Sequence, residues 1–232
     1  MSANRMCSAL AALTLVGACG WILVTHGAEA PVVLPAPTLD NPKAPGRAQT
    51  AVFAGGCFWG LQGVFEHVRG VRGVLAGYSG GAARTANYGD VGSGRTGHAE
   101  AVQISFDPAE VSYGELLQVF FSVAHDPTEL DHQGPDVGTQ YRSVIFYADD
   151  TQQRIAAGYI AQLGQAKAFR QPIVTRVDAL KGFYPAEAYH QDYYLKNPHQ
   201  PYIVINDLPK ISDLKAQFPE RWRDSPVTVG AR

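Results

Sequence analysis

Cys57 stands in the stretch Gly55-Gly56-Cys57-Phe58-Trp59-Gly60, where a nucleophile, a flexible turn and two aromatic rings come within six residues. The apolar run Thr50 to Ala54 precedes the glycines, and Leu61, Val64, Phe65 and Val68 repeat behind them at i, i+3, i+4 and i+7. That order predicts a buried strand, a tight turn and an amphipathic helix, with the thiol in the first turn of the helix. Unpaired amides and the positive dipole end at that place favour thiolate over thiol. The glycines allow unusual dihedrals and a close approach of backbone to a substrate. Phe58 and Trp59 offer apolar surface on which a small group could rest. A free cysteine is more often buried and inert, but a Gly-Gly turn is a poor setting for a core residue. The thiol therefore reads as the nucleophile.

Glu100 is the second candidate. On an alternating strand it shares a face with His98, Val102, Ile104 and Phe106, and a carboxyl at the end of an apolar face is pushed toward its neutral, proton-donating form. The other reading is a surface glutamate at a strand edge. Tyr88, Asp136 and Tyr141 fall among glycines in Asn87-Tyr88-Gly89 and in Gly134-Pro135-Asp136-Val137-Gly138-Thr139-Gln140-Tyr141. Such residues either converge on a site or make turns, and spacing alone favours a turn for Asp136. Tyr189-His190-Gln191-Asp192-Tyr193-Tyr194 gathers polar aromatics that either line a pocket or carry their hydroxyls out from the core. No histidine pair has the i, i+4 spacing of a zinc site and there is no CxxC, so no metal centre is expected.

These side chains need a scaffold. After the first strand and helix, Val71 to Tyr78 reads as a strand closed by Ser79-Gly80-Gly81, followed by a Gly-rich loop to Gly97. His98 to Phe106 is a third strand. Ser112-x-x-Glu115 is a capping box opening a helix with Leu116, Leu117, Phe120 and Phe121 on its buried face. Tyr141 to Tyr147 is a fourth strand, Thr151 to Leu163 a helix, Ile173 to Val177 a further strand, and Ala186 to Lys196 a late helix. The order predicts an α/β (α+β) two-layer sandwich of ferredoxin-like type, helices packed on a mixed, mainly antiparallel sheet.

The ends of the chain differ from its middle. Met6 to Val24 carries no charge and follows Arg5, so residues 1–30 read as a signal peptide or membrane anchor, with Ala28-Glu29-Ala30 a small-x-small cleavage pattern. Residues 31–49, with Pro31, Pro35, Pro37, Pro42 and Pro45, read as a Pro-rich linker. The catalytic domain spans 50–218, and 219–232 reads as a loosely ordered tail. Export to the periplasm, or anchorage facing it, is the expected location. A net charge of −2 lacks the basic excess of a nucleic-acid protein. The chain has 3 cysteines, Cys7, Cys19 and Cys57, too few for a disulfide scaffold.

The ordered blocks Gly56-Cys57-Phe58-Trp59-Gly60, Gly77-Tyr78-Ser79-Gly80-Gly81, Gly97-His98-Ala99-Glu100, His125-Asp126-Pro127-Thr128, Gly138-Thr139-Gln140-Tyr141-Arg142-Ser143 and Ala186-Glu187-Ala188-Tyr189-His190-Gln191-Asp192-Tyr193 resemble the A-type peptide methionine sulfoxide reductases. The resemblance runs from about Thr50 to Pro198. It implies that Cys57 attacks the sulfur of the S epimer of methionine sulfoxide, free or in oxidised proteins. Glu100 would protonate the oxygen, assisted by Tyr88 and Tyr141. Phe58 and Trp59 would hold the methyl group, with Asp136, His190 and Tyr193 also at substrate-binding positions. It implies no metal or organic cofactor. Many relatives carry further cysteines near the C-terminus that reduce the sulfenic acid; residues 58–232 hold none. An external thiol such as thioredoxin, glutaredoxin or glutathione is therefore the expected partner, and a monomer the expected state. Three other classes stay open: a cysteine hydrolase using His190 and Asp192, a module that binds oxidised methionine without turnover, and a membrane-tethered structural protein.

Overall fold

The computed structural model describes residues 33–229. Its elements are β1 (Gln49–Ala54), α1 (Phe58–Glu66), β2 (Val71–Ser79), α2 (Tyr88–Val91), β3 (Ala99–Phe106), α3 (Tyr113–Val119), β4 (His132–Gln133), β5 (Asp136–Val137), β6 (Val144–Tyr147), α4 (Asp150–Gln165), β7 (Arg176–Ala179), β8 (Phe183–Pro185), α5 (Tyr193–Lys196) and α6 (Leu208–Gln217). Six strands form one sheet in the order β7-β6-β1-β3-β2-β8. All neighbours in it are antiparallel except β6 and β7, which run parallel.

The sheet is two-faced because its strands alternate large and small residues. Phe53 of β1 and Val102, Ile104 and Phe106 of β3 face the main core with the helices. Val52, Ala54, Ala99 and Ala101 face the other way, under Leu180 and Phe183. Burying one such Phe or Ile is worth about 1.5–3 kcal/mol, so a one-residue slip of β3 would lose the core and turn Glu100 away from it. The capping box of α3 forms in full: Ser112 accepts from the Glu115 amide and Glu115 accepts from the Ser112 amide.

Three expectations change. The helix foreseen over Ala186–Lys196 breaks into a 3₁₀ turn at Ala188–His190 and the short α5, because Asp192 takes a left-handed conformation (φ 52°). The Gln191 side chain explains the break. It pairs with β2 as a strand would, accepting from the Ala76 amide at 3.0 Å and donating to the Ala76 carbonyl at 2.9 Å. The strand foreseen from Tyr141 starts only at Val144, with Tyr141 in a 3₁₀ turn, and the one foreseen over Ile173–Val177 is displaced to β7.

Both stretches read as loose are packed where described. Leu34 is buried, Tyr159 donates to the Pro35 carbonyl, and Asp40 accepts from the Ser112 hydroxyl and the Gly114 amide. Arg221 pairs with Glu115 at 2.6 Å, and Trp222 stacks on His67 with ring centres 4.2 Å apart. The proposed leader, residues 1–30, lies outside the described residues, as do Cys7 and Cys19. On α1, Glu66 is fully buried; burial and the neighbouring Asp192 carboxyl push it up to about 10.

Candidate active site

Cys57 is the N-cap of α1, one residue before the helical turn in which the sequence places it. The chain reaches it through a turn that only glycine fits. Gly56 has φ +94°, and a Cβ there would lie 2.5 Å from Gln133; a Cβ on Gly55 would lie 2.8 Å from the His125 ring. The glycines thus make room for the protein's own side chains rather than for a substrate. His125 is fixed behind them by the Phe120 carbonyl at 2.9 Å and the Ser143 hydroxyl at 2.8 Å. Burial lowers its pKa to about 4, so it is a neutral prop. Gln133 accepts from the Asp126 amide and donates to the Asp126 carbonyl, holding β4 against the same turn.

The thiol is 8% exposed. Burial first, then the nearby Glu100 and Asp207 carboxyls, push its pKa well above the ordinary thiol value, against a smaller pull from the Trp59 amide. This corrects the expectation of a resting thiolate. A helix terminus is worth about 0.3–1 kcal/mol, at most about 2, and desolvation of a buried sulfur anion exceeds that. Cys57 rests as a thiol.

Glu100 lies opposite Tyr78 in the β2–β3 register, on the helix side of the sheet. Its Oε2 accepts the Phe58 amide at 3.1 Å, which ties the carboxyl to the residue following the thiol. It is 4% exposed, and burial, partly offset by that amide, raises its pKa to about 8. At neutral pH it carries its proton, as the apolar face implies.

Around this pair stands an aromatic assembly. Phe58 packs on Tyr78 at 5.8 Å and on His190 at 5.0 Å. Trp59 lies face to face with Tyr193 at 3.8 Å and edge-on to Tyr202 at 5.9 Å, and its indole N–H donates to His190 Nδ1 at 3.1 Å. Accepting at Nδ1 leaves the proton of neutral His190 on Nε2, and burial, opposed by the Glu187 charge, keeps the ring neutral. Tyr193 backs the Trp59 ring. The buried amides of Gln62 and Gln191 hold this segment on α1: Gln62 donates to Gln191 at 3.3 Å and accepts from the Asp192 amide at 3.0 Å.

Tyr88 opens α2, capped by Asn87, which accepts from the Asp90 amide. Its own amide donates to Glu187 at 2.9 Å, and its ring lies 4.5 Å from His190. Tyr141 is fixed by its neighbour Arg142, which donates to the carbonyls of Gly97, His98 and Thr139. Burial and the surrounding carboxyls raise the pKa of both phenols, so both remain hydrogen-bond donors. His98 is a loop latch, bonded to the Gly81 amide and the Ala82 carbonyl.

Asp136 begins β5, half-buried, and is more than a turn residue because it accepts a short hydrogen bond from Tyr202. Burial raises its pKa, opposed by that bond. Tyr202 and Asp207 escape sequence reading. Both lie after the last recognisable block, and no glycine turn or alternating pattern marks them. Asp207 is fully buried with neither carboxyl oxygen hydrogen-bonded, pressed against Gly60 of α1, and burial raises it to about 7.

The structure therefore brings a protonated carboxyl and two phenol donors around one buried thiol, beside an aromatic wall. Such a set accepts a polar oxygen, donates a proton to it, and attacks the atom that bears it. Among the described residues, no group of three or more His, Cys, Asp or Glu is disposed to hold a metal ion.

The family model described as Peptide methionine sulfoxide reductase matches residues 49–222. Peptide methionine sulfoxide reductase MsrA 2 of Mesorhizobium japonicum is 59% identical over 191 residues, covering 82% of this chain and 97% of that protein. The protein of the same name from Synechocystis sp. is 52% identical, covering 82% and 91%. Among solved structures, methionine sulfoxide reductase A of Corynebacterium diphtheriae superposes with a TM-score of 0.57 at 34% identity, covering 72% of this chain and 88% of that one. Mxr1 from Saccharomyces cerevisiae in reduced form gives 0.59 at 31%, covering 70% and 92%.

Proposed function

The chain belongs to the peptide methionine sulfoxide reductase family, and on that premise we propose how its residues share the reduction of methionine sulfoxide to methionine in the repair of oxidised proteins. The sulfoxide oxygen lies against Glu100, which donates its proton, while the Tyr88 and Tyr141 hydroxyls supply further hydrogen bonds. Withdrawal of electron density toward oxygen makes the sulfoxide sulfur electrophilic, and Cys57 attacks it. The attack forms a bond between the two sulfurs and releases the thiol proton, which replaces the one Glu100 has donated. The hydroxyl then passes to Cys57 as the substrate S–O bond and the sulfur–sulfur bond both break, leaving a sulfenic acid and methionine with no net proton taken up. Phe58 and Trp59 receive the methyl group. With the oxygen fixed at Glu100 and the methyl on the aromatic wall, only one hand at sulfur directs the rest of methionine outward; the resemblance to the A-type reductases makes that hand the S epimer.

The observation that carries the assignment is the Phe58 amide bond to Glu100. It couples a buried, protonated carboxyl to the residue following the buried thiol. Asp136, held by Tyr202, supports the polar side, and His190 and Tyr193 fix the Trp59 ring. The sulfenic acid is reversible and condenses with a thiol. Because residues 58–232 hold no cysteine, the thiol comes from outside the domain, from a thioredoxin-like protein or a small thiol. Neither a metal nor an organic cofactor takes part in this scheme.

The test is reduction of methyl p-tolyl sulfoxide with dithiothreitol. The full chain is expected to form sulfide from the S enantiomer, and Cys57→Ser to form none. Sulfide from the Cys57→Ser protein, or cleavage of a thioester in its place, overturns the reading in favour of other chemistry. For location, the uncharged run Met6–Val24 supports export to the periplasm or a membrane tether facing it. N-terminal sequencing of protein recovered from the periplasmic and membrane fractions tests this, and a full-length soluble cytosolic form overturns it. No helix among the described residues is long and apolar enough to cross a membrane.

A further inference from the structure

A cavity of about 340 Å³ adjoins Cys57, meeting the aromatic site at Asp136 and Tyr202 but extending away from it. Cys57, Asp136 and Tyr202 belong to its wall, whereas Phe58, Trp59, Tyr88, Glu100 and Tyr141 do not. From there it extends past Phe121, Ala168 and Phe169 to a rim at Ile205, which is 70% exposed. Its size is at the lower end for small-molecule sites, roughly 300–1,000 Å³. In the proposed scheme methionine needs no second chamber, since its methyl and oxygen lie against Phe58, Trp59 and Glu100.

The second half of the reaction does need one. In the proposed scheme the oxygen reaches Cys57 from a sulfoxide held at Glu100, Tyr88 and Tyr141. A thiol that displaces this oxygen attacks sulfur in line, from the side opposite to the leaving oxygen. The cavity reaches Cys57 without passing Glu100 or either tyrosine. Its wall is also charged with one predominant sign: Asp126, Glu129, Asp136 and Asp213 against Lys210. His125, which also borders it, is neutral and already bonded on both ring nitrogens.

We propose that this cavity is the passage by which the recycling thiol reaches oxidised Cys57, separate from the sulfoxide site, and that it admits low-molecular-mass thiols that are cationic or neutral in preference to anionic ones. The proposal rests on the reading that Cys57 becomes a sulfenic acid. In the first step an S–S bond forms between Cys57 and the thiol, the Cys57 S–O bond breaks, and the oxygen leaves as water with the proton of the thiol and its own. A second thiol then releases Cys57 as a thiol and leaves with the first as a disulfide. Two thiols are oxidised and the sulfenic acid is reduced.

The experiment separates the two half-reactions on the full chain. Mixed with excess methionine sulfoxide and no thiol, the protein is expected to yield one methionine per chain; no methionine overturns both the reductase reading and this proposal. The oxidised protein is then reduced by cysteamine, 2-mercaptoethanol or 3-mercaptopropionate, with rates compared per thiolate. Cysteamine is expected to be faster than mercaptopropionate by about fivefold or more at low salt. The gap should close at about 1 M salt, where the screening length is about 3 Å. Ala168→Trp, which fills the cavity, should slow recycling about tenfold or more while keeping the methionine yield of the first half. Asp213→Lys, which reverses a half-buried charge on α6 in the cavity wall, should narrow the gap between the thiols. Equal rates for the three thiols at low salt overturn the charge preference. Loss of the methionine yield together with recycling in a folded Ala168→Trp protein overturns the separate passage, showing instead that the cavity holds the sulfoxide-bearing chain.

Discussion

On one side of Cys57 every ring has a neighbour. Trp59 lies against Tyr193 and donates to His190, and Phe58 sits between Tyr78 and His190. On the other side the wall of the cavity mixes Phe121 and Phe169 with four carboxylates and one lysine around open space. The first side is organised before substrate arrives, as discrimination of a methyl from an oxygen on one sulfur requires. The second gives room and a sign of charge, which suffices for a thiol whose only task is to reach sulfur. One nucleophile thus serves two approaches with different demands.

The largest expected effect lies on the packed side. Glu100→Gln keeps the shape but removes the proton, and should lower the rate of methionine formation by about 10²–10⁴-fold. The wild-type rate should fall as pH rises through about 8, where Glu100 loses its proton, and the variant should lose that limb. Stopped-flow measurement of the first turnover from pH 5 to 9 checks both. If Glu100→Gln slowed recycling by thiol equally, the two sides would not be separate.

Gly56→Ala disturbs the junction. It forces a Cβ into Gln133 at a positive φ, and should cost about 1–3 kcal/mol of stability, read by thermal unfolding. Because Gln133 lines the cavity, recycling should suffer more than first turnover. Smallest is His190→Ala, which leaves the Trp59 indole without its acceptor at a cost of about 1 kcal/mol. A several-fold rise in KM for the sulfoxide with little change in the thiol dependence is expected from steady-state kinetics.

The two sides also differ in how far the sequence discloses them. The strand, the Gly-Gly turn, the thiol and the buried face of β3 with Glu100 are local patterns, each fixed by a few neighbouring residues, and the structure keeps them together. The state of the thiol is not local: burial and the carboxyls of Glu100 and Asp207 outweigh the helix end that the local pattern invokes. The same holds for Gln191, whose amide replaces a backbone pairing 115 residues away and so breaks a helix that its own neighbours would continue. Tyr202 and Asp207 are invisible for a related reason. They enter the site only because the turn at the start of α6 brings them to α1, and no short pattern records that.

Three acids described above, Glu66, Glu100 and Asp207, hold protons at about 10, about 8 and about 7, against ordinary values of 4.5, 4.5 and 3.8. Folding therefore takes protons up. The stability these groups contribute is complete below about pH 4, where both states are protonated, and is lost as pH rises until each passes its folded value. This opposes the usual acid denaturation of paired carboxylates. Refolding in weak buffer near pH 6 should withdraw close to three protons per chain from solution on their account, and Asp207→Asn should withdraw one fewer. The acids that keep the site ready to protonate a substrate thus make the fold itself a proton sink, one that alkaline conditions drain.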